Sequence, residues 1–88
     1  MHMTLRQLQV FDAVARHLNY TRAAEELHMT QPAVSGHIRQ MAEQLGVPLI
    51  EQVGKRLHLT EAGEEVQKAA LDVINRTEEL EMRLADLA

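Results

Sequence analysis

Thr21-Arg22-Ala23-Ala24-Glu25-Glu26-Leu27-His28-Met29-Thr30-Gln31-Pro32-Ala33-Val34-Ser35 is the stretch that decides how this chain folds. Its first half is short and rich in good helix formers. Asn19 and Thr21 are both capping types, so a helix over about 21–28 is predicted. Met29-Thr30 is a tight connection. Thr30 caps the next helix, and Pro32 falls in its first turn, where the missing amide hydrogen would have had no partner. Val34, Ile38, Met41 and Leu45 continue at helical spacing. Gly46 ends the helix as a C′ residue, giving a span of about 31–45. Two helices joined by so short a turn form a helix-turn-helix pattern. Ala24 is small where the two must touch, and Leu27, Val34 and Ile38 fill the angle between them. The first turn of the second helix is left projecting outward with Gln31, Pro32, Ser35 and Gly36, and Arg39 lies one turn further on.

Upstream, Leu5, Leu8, Phe11, Val14, Ala15 and Leu18 recur every three or four positions, and Thr4 is an N-cap type. They predict a helix over about 4–17. Downstream, Pro48–Val53 and Arg56–Thr60 have strand-like character around a Gly54-Lys55 turn. This segment reads as a small hairpin with Lys55 and Arg56 near its tip, or else as an irregular loop. From Thr60 onward one long helix is expected, capped by Thr60 and favoured by Glu61, Glu64 and Glu65 at its positive end. Val66, Ala70, Val73, Thr77, Leu80, Leu84 and Leu87 alternate by four and three along it, which is a heptad seam suited to a dimer. A helix packed only on its own domain is the alternative. The fold class is therefore mainly α: a three-helix bundle with a short β-hairpin wing over 1–60, then a long linker helix over 61–88.

Such a pattern suits double-stranded DNA. Gln can bond an adenine edge in bidentate fashion, Ser can donate or accept, and Pro or Ala can meet a thymine methyl. Free amides at a helix start suit a phosphate. A helical hairpin that touches no DNA, with the heptad helix binding a protein partner, has the same bare pattern. Charge bears on the choice. The 88 residues hold 9 Lys and Arg against 13 Asp and Glu, a net charge of −4, whereas nucleic-acid binders usually have a basic balance. The acid is unevenly spread. Residues 1–60 carry a net charge of +1 and residues 61–88 one of −5. The excess lies in the linker helix.

The resemblance is sharper than the pattern. Leu5-x-x-Leu8-x-x-Phe11, the Thr21–Ser35 stretch, Ile38-Arg39-Gln40, Leu45-Gly46-Val47-Pro48-Leu49 and Leu59-Thr60-x-Ala62-Gly63 together resemble the DNA-binding domain of the LysR-type transcriptional regulators. The match is collinear from residue 4 to about 66, and the remainder is similar to the family's linker helix. The resemblance implies base contacts in the major groove from Gln31, Pro32, Ala33, Ser35 and the following position. It implies phosphate contacts from Thr21, Arg22 and Thr30, and a minor-groove contact from Arg56, with Lys55 beside it on the wing. One position departs from the family, which often has Arg or another long polar residue where Gly36 stands. Either that base contact is missing, or Arg39 or His37 replaces it.

Further implications concern assembly. The family binds short, imperfect inverted repeats as dimers paired through antiparallel linker helices, and its full-length members are usually tetramers. Here Arg76 and Arg83 fall at g and Glu81 at e, a charge pattern that by itself favours a parallel pair. Family members continue into an effector-binding domain of two α/β lobes that takes a small molecule. The present sequence reads as the isolated DNA-binding domain with its linker. Glu51-Gln52-x-Gly54-Lys55 followed by Leu57-x-Leu59-Thr60 is similar to regulators of carbon-dioxide-fixation operons.

Other functions find little support. The five histidines have no i, i+4 pair and no cysteine beside them, so no metal or cofactor site is expected. Ser35 is the only serine, and His37 two residues on points from a different helix face, so enzymatic activity is not expected. No apolar run nears the roughly 20 residues that span a bilayer. The start lacks a signal-peptide core. A soluble cytoplasmic protein is the expectation.

Overall fold

The computed structural model describes residues 3–88. Met1 and His2, and with them one of the five histidines, lie outside the described residues. The elements in order are α1 (Leu5–His17), α2 (Tyr20–Leu27), α3 (Gln31–Leu45), β1 (Ile50–Val53), β2 (Arg56–Leu59) and α4 (Glu61–Leu87).

Helix ends follow local chemistry. Thr4 and Gln7 form a reciprocal capping box at the start of α1, satisfying two amides that have no partner within the helix. Thr30 Oγ1 accepts from the Ala33 amide at 3.2 Å, and Thr60 Oγ1 accepts from the Gly63 amide at 3.0 Å. For α2 the cap is Asn19, whose Oδ1 accepts from the Arg22 amide at 2.9 Å, so the helix begins one residue before Thr21. Gly46 closes α3 in the left-handed region, as expected of it. Leu18 and His28 adopt that region too, at φ 49° and 55°, without a glycine's freedom.

The core is built around α1, which packs against α2, α3 and α4. Because it is enclosed on several sides, its buried set is wider than one stripe. Val10 and Ala13 are buried with Leu8, Phe11, Val14 and Ala15, while Leu5 and Leu18 at the stripe's ends are exposed. Ala23 and Ala24 are buried where α2 meets its neighbours, and Val34, Ile38 and Met41 form the inward face of α3. The hairpin is antiparallel, pairing Ile50 with Leu59 and Val53 with Arg56. Gly54 holds φ 63° at the first central position of its two-residue turn, where a left-handed residue is needed. Pro48 and Leu49 precede the strand. Leu49 is buried in the core rather than paired in the sheet.

One joint ties wing to linker helix. The Thr60 amide donates to the Leu49 carbonyl at 3.1 Å, and Thr60 Oγ1 donates to the Pro48 carbonyl at 2.7 Å. Gly63 lies one turn into α4, directly against that same Leu49 carbonyl. A Cβ there would collide with the oxygen, a backbone atom that cannot swing away. Helix propensity alone would make Gly63→Ala stabilising by about 1 kcal/mol. We expect the opposite sign, a loss of about 1–3 kcal/mol from overpacking, read as a lowered urea midpoint with unchanged m-value.

Candidate nucleic-acid interface

The outward side of α3 lies opposite Val34, Ile38 and Met41. Gln31, Pro32, Ala33 and Arg39 are exposed there, and Ser35, Gly36 and His37 are half-exposed. Ser35 Oγ donates to the Pro32 carbonyl at 3.2 Å. His37 Nδ1 is buried without a hydrogen-bond partner, so an outward contact by this ring falls to Nε2. A Cβ at Gly36 would meet nothing within 4 Å.

Three elements converge beside this helix start. A cleft of about 290 Å³ is lined by Leu18, Asn19, Tyr20 and Thr21 at the start of α2, by Gln31 of α3, and by Gln52, Lys55 and Leu57 of the wing. Thr21, Gln31 and Lys55, placed on separate segments in the sequence, are thereby brought together. Lys55 lines the cleft from the tip of the wing, and Gln52 Nε2 donates to the Gly54 carbonyl at 3.3 Å across the turn. The cleft has a polar lining, one ammonium group and the amide-bearing start of α2. This combination suits an oxygen-rich anion such as a backbone phosphate. Arg22, Thr30 and Arg56 are exposed outside its lining.

Tyr20 and Gln52 were not singled out by sequence reasoning. Tyr20 is half-buried, and its burial pushes the phenol above its ordinary pKa while Arg39 opposes the shift. The one available signal was an aromatic residue directly after a capping Asn. Gln52 carries no local signal, because its place depends on the hairpin register that sets it opposite Leu57.

The angle between α1 and α2 is held by a charged clamp. Arg16 grips Glu26 through both guanidinium ends, with Nη1 at 2.9 Å from Oε1, and its Nε donates to Asp12 at 3.0 Å. His17 Nε2 lies 2.8 Å from the same Glu26. The Arg16 hydrogen bonds, then His17, draw the Glu26 carboxyl down from 4.5 to about 2, and the Glu26 carboxylate raises Arg16 in return.

The seam of α4 divides. Ala70 is fully buried and Val66 half-buried against the domain's own core. These two positions, expected in a dimer contact, are occupied within the chain. The seam's spacing could not distinguish an internal partner from an external one. Val73 is 42% exposed, Leu80 and Leu84 are each 55% exposed, and Leu87 is 83% exposed. Thr77 Oγ1 donates to the Val73 carbonyl at 2.9 Å, so its hydroxyl is satisfied inside the helix. Arg76 pairs with Glu79 of its own helix at 3.2 Å rather than standing free at g. Among the described residues no three His, Cys, Asp or Glu side chains gather as a metal site requires. Among the described residues no helix is long and apolar enough to cross a membrane.

The model of the bacterial regulatory helix-turn-helix proteins of the lysR family matches residues 5–64, well over half of the chain. The chain belongs to the LysR family. It is 50% identical over 86 residues to a RuBisCO operon transcriptional regulator of Acidithiobacillus ferrooxidans, covering 98% of this chain and 28% of that protein. A regulator of the same description from Allochromatium vinosum is 62% identical over 66 residues, which is 75% of this chain and 22% of that protein. The chain thus spans under a third of these relatives' length. Among solved structures, the BenM DNA-binding domain in complex with catB site 1 DNA superposes with a TM-score of 0.91 at 27% identity, covering 97% of this chain and 96% of that one. This LysR-family chain is a winged helix-turn-helix with a long C-terminal helix.

The clamp gives a signed pH prediction. Glu26 is depressed in the folded state, so its stabilisation is complete above the unfolded value near 4.5 and is lost as pH falls toward about 2. The pair is partly exposed to solvent, which limits it to about 1 kcal/mol. Glu26→Gln should lower stability by about that amount at pH 7 and flatten the acid limb between roughly pH 5 and 2, measured by urea unfolding across pH.

Proposed function

We propose that this chain is the DNA-reading part of a transcriptional regulator that acts on carbon-dioxide-fixation genes and binds an imperfect inverted repeat as a dimer. The observation that carries the reading is the convergence of the α3 start, the α2 start and the wing around one cation-bearing cleft beside an outward helix face. Gln31, Pro32, Ala33, Ser35, Gly36 and Arg39 face base edges. Thr21, Arg22, Thr30, His37 and Lys55 hold the backbone, and Arg56 reaches the minor groove. The names of the two relatives support the target genes. The chain has no catalytic role in this reading and works in the cytoplasm, where its operator is. A small-molecule effector acts through further domains of a full-length protein, which is a tetramer.

Dimerisation falls to the outer half of α4. Val73, Thr77, Leu80, Leu84 and Leu87 remain available after Val66 and Ala70 have been used internally. Exposed apolar side chains in such a row are a common mark of a protein contact. With a net charge of only +1 over residues 1–60, non-specific grip is weak, and affinity depends on holding two domains at once.

Binding should fall linearly in log salt, checked by titrating a promoter duplex at several ionic strengths. Absence of binding at low salt, with α4 still self-associating, would favour a protein-interaction module instead. Gln31→Ala should cost roughly 1–3 kcal/mol and relax preference at one base pair, whereas Arg22→Ala should weaken all duplexes alike and reduce the salt slope by about 1. Leu84→Glu should shift the chain toward monomer in sedimentation and remove the rise of the thermal midpoint with protein concentration, with a parallel loss of affinity for a two-half-site duplex.

A further inference from the structure

We propose that the bare backbone at Gly36 is a seat for the 5-methyl group of one thymine in each operator half-site. The inference rests on the reading of α3 as the base-contacting helix and goes on to name what that helix reads.

Nothing among the described residues requires glycine at this position. A Cβ would meet no atom within 4 Å, and Gly36 is not among the residues of positive φ. A glycine in a helix interior disfavours the helix relative to alanine. Gly36 also sits near the middle of the outward face, one turn on from Pro32 and opposite the buried Val34, Ile38 and Met41. Pro32 and Ala33 carry no side-chain hydrogen-bonding group. Ser35 has directed its hydroxyl proton to the Pro32 carbonyl, leaving only lone pairs for a partner. The first two turns therefore offer the groove a shallow apolar floor, with a long hydrogen-bonding side chain at one end in Gln31 and at the other in Arg39. Within the major groove the one apolar projection from a base is the thymine methyl. A methyl group fills the space that a Cβ would otherwise take. The Ser35 lone pairs beside it accept from the exocyclic amine of an adenine, so the two residues together favour an A·T pair.

The test is an exchange of one methyl between protein and DNA. Duplexes retained by the chain from a randomised pool are resynthesised with each thymine replaced in turn by uracil, which lacks only the 5-methyl. At one thymine per half-site, the replacement should weaken binding about fourfold, the effect of one buried methyl-sized group. Gly36→Ala adds a methyl to the protein at the same place. It should melt at or above the parent temperature, bind the thymine duplex more weakly, and prefer uracil at that one position. Retained duplexes insensitive to uracil at every thymine would overturn the seat while leaving base reading by α3 intact. So would a Gly36→Ala chain that shifts thymine and uracil duplexes equally. If no duplex is retained at all, the base-reading role of α3 fails, and the seat fails with it.

Discussion

The close approach of Gly63 to the Leu49 carbonyl fixes the rest of the molecule. Leu49 is buried in the core and leads into the wing, and the same carbonyl accepts the Thr60 amide where α4 begins. A side chain at 63 would force the helix away from the loop. With none there, α4 starts against the wing's base and lays Val66 and Ala70 along α1. The direction of the long helix is thus set by the same contact that positions the hairpin. Any second copy bound through the outer half of α4 inherits that direction.

Much of this was legible in the sequence, because caps and turns are local. Thr4, Thr30, Thr60 and Gly46 announce helix ends through atoms within four residues of themselves, and the structure uses each of them. Pro32 in a first turn and Gly54 in a hairpin turn are local in the same sense. The outward set on α3 followed from its period alone. Other features depend on what an element packs against, which a period cannot express. Val10 and Ala13 are buried because α1 is surrounded, not because they continue a stripe. Val66 and Ala70 obey the heptad rule and yet serve an internal contact. Gly63 looked like part of a family motif, while its physical reason, a carbonyl fourteen residues upstream, lay outside any local window. At the interface, the cleft joining Tyr20, Gln31 and Lys55 depends on how the wing folds back, so its membership could be only half guessed.

Charge shows the same division between what is counted and what is free. Residues 1–60 hold six cationic side chains. Arg16 is taken by Glu26 and Asp12, so it adds to the count without adding a free cation. The remaining cations, Arg6, Arg22, Arg39, Lys55 and Arg56, are exposed. On α4, Lys68 and Arg76 pair with Glu65 and Glu79 of their own helix. The acidic excess there belongs to α4 and not to the helix-turn-helix. This weakens the objection that a net charge of −4 raises against a nucleic-acid binder, and it also implies a modest electrostatic grip.

A weak general grip makes shape matter more. Phosphate contacts position a protein but carry no sequence information directly, whereas base edges carry it. A reading helix rich in arginine would gain affinity and guanine preference together. This helix opens with Gln31 and then presents Pro32, Ala33, Ser35 and Gly36, whose side chains are short. Short side chains bring the backbone close, and close approach turns the contour of the base edges into the quantity that is read. The Arg16–Glu26 clamp joins α1 to α2, which packs on α3, and Lys55 of the wing lines the same cleft as the α2 start. The outward face of α3 thus combines a run of short side chains with the longer Gln31 and Arg39 at its two ends.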